Sequence, residues 1–345
     1  MIDLRSDTVT LPTPAMMDSI MHARLGDDVL DEDPTIHELE KKSAEHTGKE
    51  AALFVPSGTM ANLTAVLAHC ERGDEVILGD QAHTFLYEAG GISSLGGIHS
   101  HQLKNQDDGT LTLNDIKNAI RLDNVHFPKT RLICLENTHN RCYGFPLTID
   151  YLNAVRTIAN EHELLVHVDG ARLFNASVAL GITVKELCKP ADSTTFCLSK
   201  GLSAPVGSLV CGEEGFIHRV KRLRKVLGGG MRQAGILAAA GIEALDTMVE
   251  RLALDHQHAK ILADGISRIN GLQCDPEFVP TNIVYFTLER GDINGVELVS
   301  LMKKNGIQFF EISPKRFRLV THCGIDAAEI EETLAMFSRV MNGLS

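Results

Sequence analysis

The chain has 345 residues, of which 44% are hydrophobic and 23% charged, with a formal net charge of −12. That balance suits a folded protein with a large buried core and roughly two domains of about 150 residues each, and it sets disorder aside. The acidic charge, with no basic tract or aromatic-interleaved basic stripe to offset it, argues against a nucleic-acid surface.

The first residues, Met1-Ile2-Asp3-Leu4-Arg5-Ser6-Asp7, lack the apolar stretch of a signal peptide. No window approaches the roughly 18 uninterrupted apolar residues that a membrane span requires. Eight cysteines are scattered without a C-x-x-C pair, which suits reduced thiols rather than a disulfide framework. A cytoplasmic protein with no membrane partner is expected.

Short apolar runs predict strands over 51–55, 75–78, 131–135, 164–168, 194–198 and 207–211. Between them, helical spacing predicts helices such as 62–70, 149–160 and 217–226. Strands alternating with helices predict an α/β fold with a mostly parallel sheet covered on both faces. From about Gly230 the pattern changes, with helical stretches over 231–245 and 247–269. Strand-like segments 282–288 and 316–321 then flank a helical 295–304, and 327–341 closes as a helix. The expected division is a large domain, 1–245, and a smaller carboxy-terminal α/β domain, 246–345. Open parallel sheets hold ligands outside the carboxyl ends of their strands, so chemistry is sought just after each strand.

Three such places stand out. Val55-Pro56-Ser57-Gly58-Thr59-Met60-Ala61-Asn62 follows a strand and opens a helix, where small residues and free N–H groups suit either a plain N-cap or an anion. His167-Val168-Asp169-Gly170-Ala171-Arg172 ends a strand with a carboxylate able to hold a protonated ring nitrogen, although Asp-Gly is also a common turn. Leu198-Ser199-Lys200-Gly201 ends the next strand with a lysine able to form a Schiff base. Phosphate cup, strand-end Asp and strand-end Lys, in that order, are the three fixed points of a pyridoxal 5′-phosphate (PLP) site. A zinc reading of His162, Glu163 and His167 fails, because the second histidine is one residue too far for H-E-x-x-H and the segment reads as a strand. No other metal motif is apparent.

The chain resembles the threonine aldolases among the fold type I PLP enzymes, the low-specificity L-threonine aldolases in particular. The resemblance runs nearly end to end and begins with Leu4-Arg5-Ser6-Asp7-Thr8-Val9-Thr10 and Gly26-Asp27-Asp28-Val29. It continues through Glu32-Asp33-Pro34-Thr35, the 55–60 run, Leu135-Glu136-Asn137-Thr138-His139-Asn140 and the 167–172 run. It ends with Leu198-Ser199-Lys200-Gly201-Leu202, Gly228-Gly229-Gly230-Met231-Arg232-Gln233 and Arg318-Leu319-Val320-Thr321-His322.

The resemblance implies cleavage of β-hydroxy-α-amino acids such as threonine to glycine and an aldehyde. By position it implies that Lys200 carries PLP and that Asp169 pairs with the ring nitrogen. Gly58 and Thr59 would hold the phosphate, with Arg232 adding charge from a neighbouring subunit. His83 would stack on the ring, and Ser6, Arg172 and Arg318 would clamp the substrate carboxylate. His126, in Val125-His126-Phe127-Pro128, matches a second active-site histidine. The hydroxyl base is left open between His83, His126 and a water that they hold. A homotetramer made of dimers, with sites at subunit interfaces, is also implied.

Leu30-Asp31 stands where relatives commonly have Tyr-Gly, Tyr143-Gly144 where they have Gly-Gly, and Ser203 where a glycine is frequent. The rival readings are an aminotransferase, a β-eliminating lyase and a non-catalytic PLP-binding protein. The first and last motifs of the resemblance favour the aldolase over the other two enzymes. A dehydrogenase is opposed by the lack of both G-x-G-x-x-G and G-x-x-x-x-G-K-[ST].

Overall fold

Alternating side chains along the central strands set the architecture. The computed structural model describes residues 1–343. Its larger sheet contains β2 (Ala51–Val55), β3 (Glu75–Gly79), β4 (His99–Leu103), β5 (Thr130–Glu136), β6 (Leu165–Gly170), β7 (Ser193–Cys197) and β8 (Ser208–Gly212), after a short β1 (Ile2–Asp3) that belongs elsewhere. The order across the sheet is β2-β8-β7-β6-β5-β3-β4. β8 runs antiparallel to both neighbours, and every other pairing is parallel. The carboxyl ends of β5, β6 and β7 therefore open on the same edge.

One face of this sheet contributes Ile77, Ile133, Leu135, Val166, Val168 and Phe196 to the largest core. The opposite face contributes Val76, Leu78, Leu132 and Cys134 to a second cluster, with Leu63 and Val66 of the helix Gly58–His69. The central strands are thus buried on both sides, as a parallel sheet requires, while the edge strand β4 is partly exposed.

A second sheet, order β12-β13-β10-β9, is antiparallel throughout and consists of β9 (Leu272–Gln273), β10 (Ile283–Leu288), β12 (Phe310–Ser313) and β13 (Arg316–Val320). It shares a core with the helices Leu252–Ile266 and Ala327–Gly343. The first residues cross over to this part. β1 pairs in parallel with β11 (Ile307–Gln308), and Ile2 and Leu4 lie in the core built from residues 259–341. A division at residue 245 therefore assigns Ile2 and Leu4 to the wrong core. The crossing sets Arg5, Ser6 and Asp7 in the crevice between the two sheets.

Candidate active site

Gly58 and Thr59 are the first residues of a twelve-residue helix whose N-cap is Ser57, the hydroxyl of which accepts from Met60 N–H. The first N–H groups of a helix have no intrahelical partner, so this end is suited to an anion. A Cβ on Gly58 would come 2.9 Å from Cys197 Sγ, so the close approach of helix start to strand end requires glycine there.

One turn further along, Asn62 is buried and its amide nitrogen donates to Asp169 Oδ2 at 2.7 Å and to Glu88 Oε1 at 2.9 Å. Glu88 Oε1 also lies 2.8 Å from His83 Nδ1. Burial alone would lower the His83 pKa. The Glu88 bond, with the charges of Asp169, Glu88 and Glu136, outweighs it and raises the imidazole above its ordinary value. Burial raises the Glu88 carboxyl as well, against the pull of His83 and Asn62. Asn62 was not singled out by sequence, because its contacts with Glu88 and Asp169 span 26 and 107 residues, and Glu88, five residues from His83, lies in no motif read from sequence.

A cavity of about 370 Å³ opens beside His83 and is lined by Ser6, Lys200, Arg172 and Arg318 among others. Lys200 follows β7 and is half-buried, and its backbone carbonyl accepts from Thr10 Oγ1 at 3.1 Å. A larger hollow of about 720 Å³, beside Glu40 and Lys49, contains none of the expected site residues.

The carboxylate clamp has a backing that sequence did not reveal. Arg172 is buried and bonds Asp7 twice, Nε to Oδ2 at 2.7 Å and Nη2 to Oδ1 at 2.8 Å. Burial pushes Asp7 upward, but the Arg172 charge and hydrogen bonds prevail and hold it at about 2. Asn140 Oδ1 accepts from Arg318 Nη1 at 2.8 Å and from Arg172 Nη1 at 3.4 Å, so one amide spaces the two guanidiniums. Arg318 Nη2 donates to Arg5 O at 3.2 Å, while its buried Nε has no partner among the described residues. Two guanidiniums against one carboxylate leave this group of three with one net positive charge. Asp7 and Asn140 both lie inside motifs read from sequence, which was the one available signal for them.

Two expected residues stand apart from this cavity. His126 is exposed in the loop before β5, near the amino end of the sheet, where Arg121 bonds Glu75 at 2.8 Å. β5 is seven residues long, so its site end lies roughly 20 Å away. His126 therefore does not reach the Lys200 cavity of its own chain. Arg232 is exposed too, pairs with Asp27 at 2.8 Å and does not line the cavity.

The remaining residues fit PLP. A buried carboxylate, a lysine amine on the cavity wall and a helix start for the phosphate are present, and Glu88 Oε2 is a buried acceptor without a partner among the described residues. Fold and site together define a fold type I PLP-dependent enzyme.

Comparison with known proteins narrows that class. The family model described as beta-eliminating lyase matches residues 3–289. Low-specificity L-threonine aldolase 1 of Arabidopsis thaliana is 47% identical over 344 residues, covering 99% of this chain and 96% of the relative. The low specificity L-threonine aldolase of Escherichia coli (strain K12) is 46% identical over 335 residues, covering 97% and 98%. A solved threonine aldolase from Leishmania major shares the fold with a TM-score of 0.82 at 19% identity, covering 99% of this chain and 100% of that one. The chain belongs to the threonine aldolase family of PLP-dependent lyases.

Proposed function

We propose that this enzyme cleaves L-threonine, L-allo-threonine and related β-hydroxy-α-amino acids between Cα and Cβ, giving glycine and an aldehyde. The observation that carries the reading is one cavity that combines Lys200, a two-arginine clamp with one net positive charge, and His83 held through Nδ1 by Glu88.

Arg172, Arg318 and Ser6 bind the substrate carboxylate. The Nε–H of Arg318, without a partner among the described residues, supplies a further donor. Holding the carboxylate fixes the rotation of Cα, which decides which of its bonds is presented for cleavage. Lys200 would hold the cofactor through its amine, and Asp169 would pair with the cofactor ring nitrogen. When bound, PLP supplies an electron sink for the pair left on Cα as the bond breaks.

His83 acts as the base. Because Glu88 accepts from Nδ1–H, neutral His83 keeps its lone pair on Nε2, which takes the proton of the β-hydroxyl as the Cα–Cβ bond breaks. Proton return to Cα completes glycine, and the carbonyl of the aldehyde forms from the former hydroxyl carbon.

His126 and Arg232 enter this scheme from neighbouring copies. A homotetramer built from dimers, with sites at the interfaces, would bring them there; both are exposed and neither lines its own chain's cavity. Among the described residues no helix is long and apolar enough to cross a membrane.

The test is product analysis of the PLP-loaded enzyme with each threonine diastereomer. Glycine and acetaldehyde in equal amounts are expected. Ammonia and a keto acid in place of acetaldehyde would make it an eliminating lyase instead.

A further inference from the structure

Two central strands present polar side chains where their neighbours are apolar. On β6, Val166 and Val168 face the largest core, so His167 and Asp169 face the helix Gly58–His69. On β7, Phe196 faces that core, so Ser193 and Thr195 face the helix too. Register sets His167 beside Ser193 and Asp169 beside Thr195. The helix contributes Asn62 and His69, seven residues or about two turns apart and so on one face.

These groups are bonded in series. Asn62 Nδ2 donates to Asp169, so Asn62 Oδ1 must accept, and it lies 3.1 Å from Thr195 Oγ1 and 3.4 Å from His167 Nε2. Burial lowers the pKa of His167 to about 4 and that of His69 to about 3, so both rings are neutral near pH 7. With the His167 proton on Nε2, its Nδ1 must accept the Ser193 hydroxyl proton at 2.7 Å. The Ser193 oxygen then accepts from His69 Nε2–H, also at 2.7 Å. His69 Nδ1 ends the series, buried and without a partner among the described residues, on a ring stacked against Phe216 at 4.3 Å. With Asn62 Oδ1 accepting from His167 Nε2–H, every donor in the series points towards Asp169.

We propose that Asn62, His167, Ser193 and His69 form an oriented donor chain that positions and polarises Asp169 for the cofactor ring nitrogen. Aligned hydrogen bonds strengthen one another, by roughly 10–30% per bond. The chain is composed of neutral groups, so it fixes the carboxylate without adding a buried cation that would compete with the ring nitrogen for it. These are positioning residues, since none of the four lines the cavity. The inference rests on Asp169 facing the ring nitrogen.

The experiment compares Asp169→Ala, Asn62→Ala, His167→Phe, Ser193→Ala and Ser193→Thr as PLP-loaded enzymes. It records the visible spectrum, cofactor retention on dilution, kcat and KM. Asp169→Ala should shift the visible band and retain cofactor less well. Asn62→Ala should retain cofactor about 10-fold less well, the size typical of a residue that orients a liganding group, and lose kcat with little change in KM. Ser193→Ala should alter spectrum and kcat in the same direction by less, and Ser193→Thr, which keeps the hydroxyl, should restore both. If Asn62→Ala does not fold, the Ser193 pair decides. A Ser193→Ala enzyme with lowered Tm but unchanged spectrum and kcat overturns the donor chain. Unchanged cofactor retention and spectrum in Asp169→Ala would overturn the reading beneath it.

Discussion

Glu88 and His83 show how a residue invisible to motif reading sets the chemistry of one that is visible. The Glu88 carboxylate fixes which His83 nitrogen accepts a proton and holds that imidazole's pKa above its usual value. A base works deprotonated, so activity should fall as pH drops through this raised pKa. Glu88→Gln removes the charge and lowers the pKa of His83. In a pH profile of kcat/KM, the ascending limb should move to lower pH, with the plateau reduced about 10-fold through loss of orientation. A limb that stays in place would remove His83 from the role of base. Asp7 acts in a comparable way on Arg172, since a buried guanidinium without its carboxylate would be an uncompensated charge. The pairing of Asp7 with Arg172 could not be assigned from sequence, because the two lie 165 residues apart.

Most elements were legible because apolar alternation is a local signal. β2 has the bounds predicted from sequence, and the other central strands differ by a residue or two at their ends. β4 was missed because it is an edge strand of polar composition, His-Ser-His-Gln-Leu. The helix predicted over 231–245 begins only at Gly235, whose N–H is taken by Asp33 at 2.9 Å, and that partner is far away in sequence. The helix predicted from 247 begins at Leu252. The three departures from family pattern have a backbone signature. Asp31, Tyr143 and Ser203 have φ of 64°, 56° and 63°, the left-handed region that glycine adopts freely. A side chain there costs about 1–2 kcal/mol. Ser203→Gly should relieve that strain and lose only the contact with Cys323 at 2.7 Å, for a net gain of about 0.5–1 kcal/mol in urea unfolding. Tyr143→Gly should gain nothing, because the ring packs on Phe278 and Tyr285 and lies under Arg316. A Ser203→Gly protein less stable than the parent would contradict this account of strain.

At the scale of the molecule, the first seven residues join the two cores and deliver Ser6 and Asp7 to a clamp whose other members come from β13 and from the segment after β6. The family resemblance implied Ser6, Arg172 and Arg318 as a group; periodicity alone implied no more than the fold class. Neither His126 nor Arg232 lines the cavity of its own chain. If His126 serves a neighbour's cavity, Lys200→Ala and His126→Ala subunits, each nearly inactive alone, should regain activity when refolded together, because mixed assemblies contain some intact sites. No recovery on mixing would place His126 outside the reaction.

The central claim is that Lys200 carries the cofactor at the carboxyl edge of the sheet. Borohydride reduction of the PLP-loaded protein, followed by peptide mass mapping, tests it most directly. The account predicts the cofactor mass fixed on the peptide containing Lys200, and no fixation in Lys200→Ala. Cofactor fixed on another lysine, or a protein that stays colourless after incubation with PLP, would contradict it.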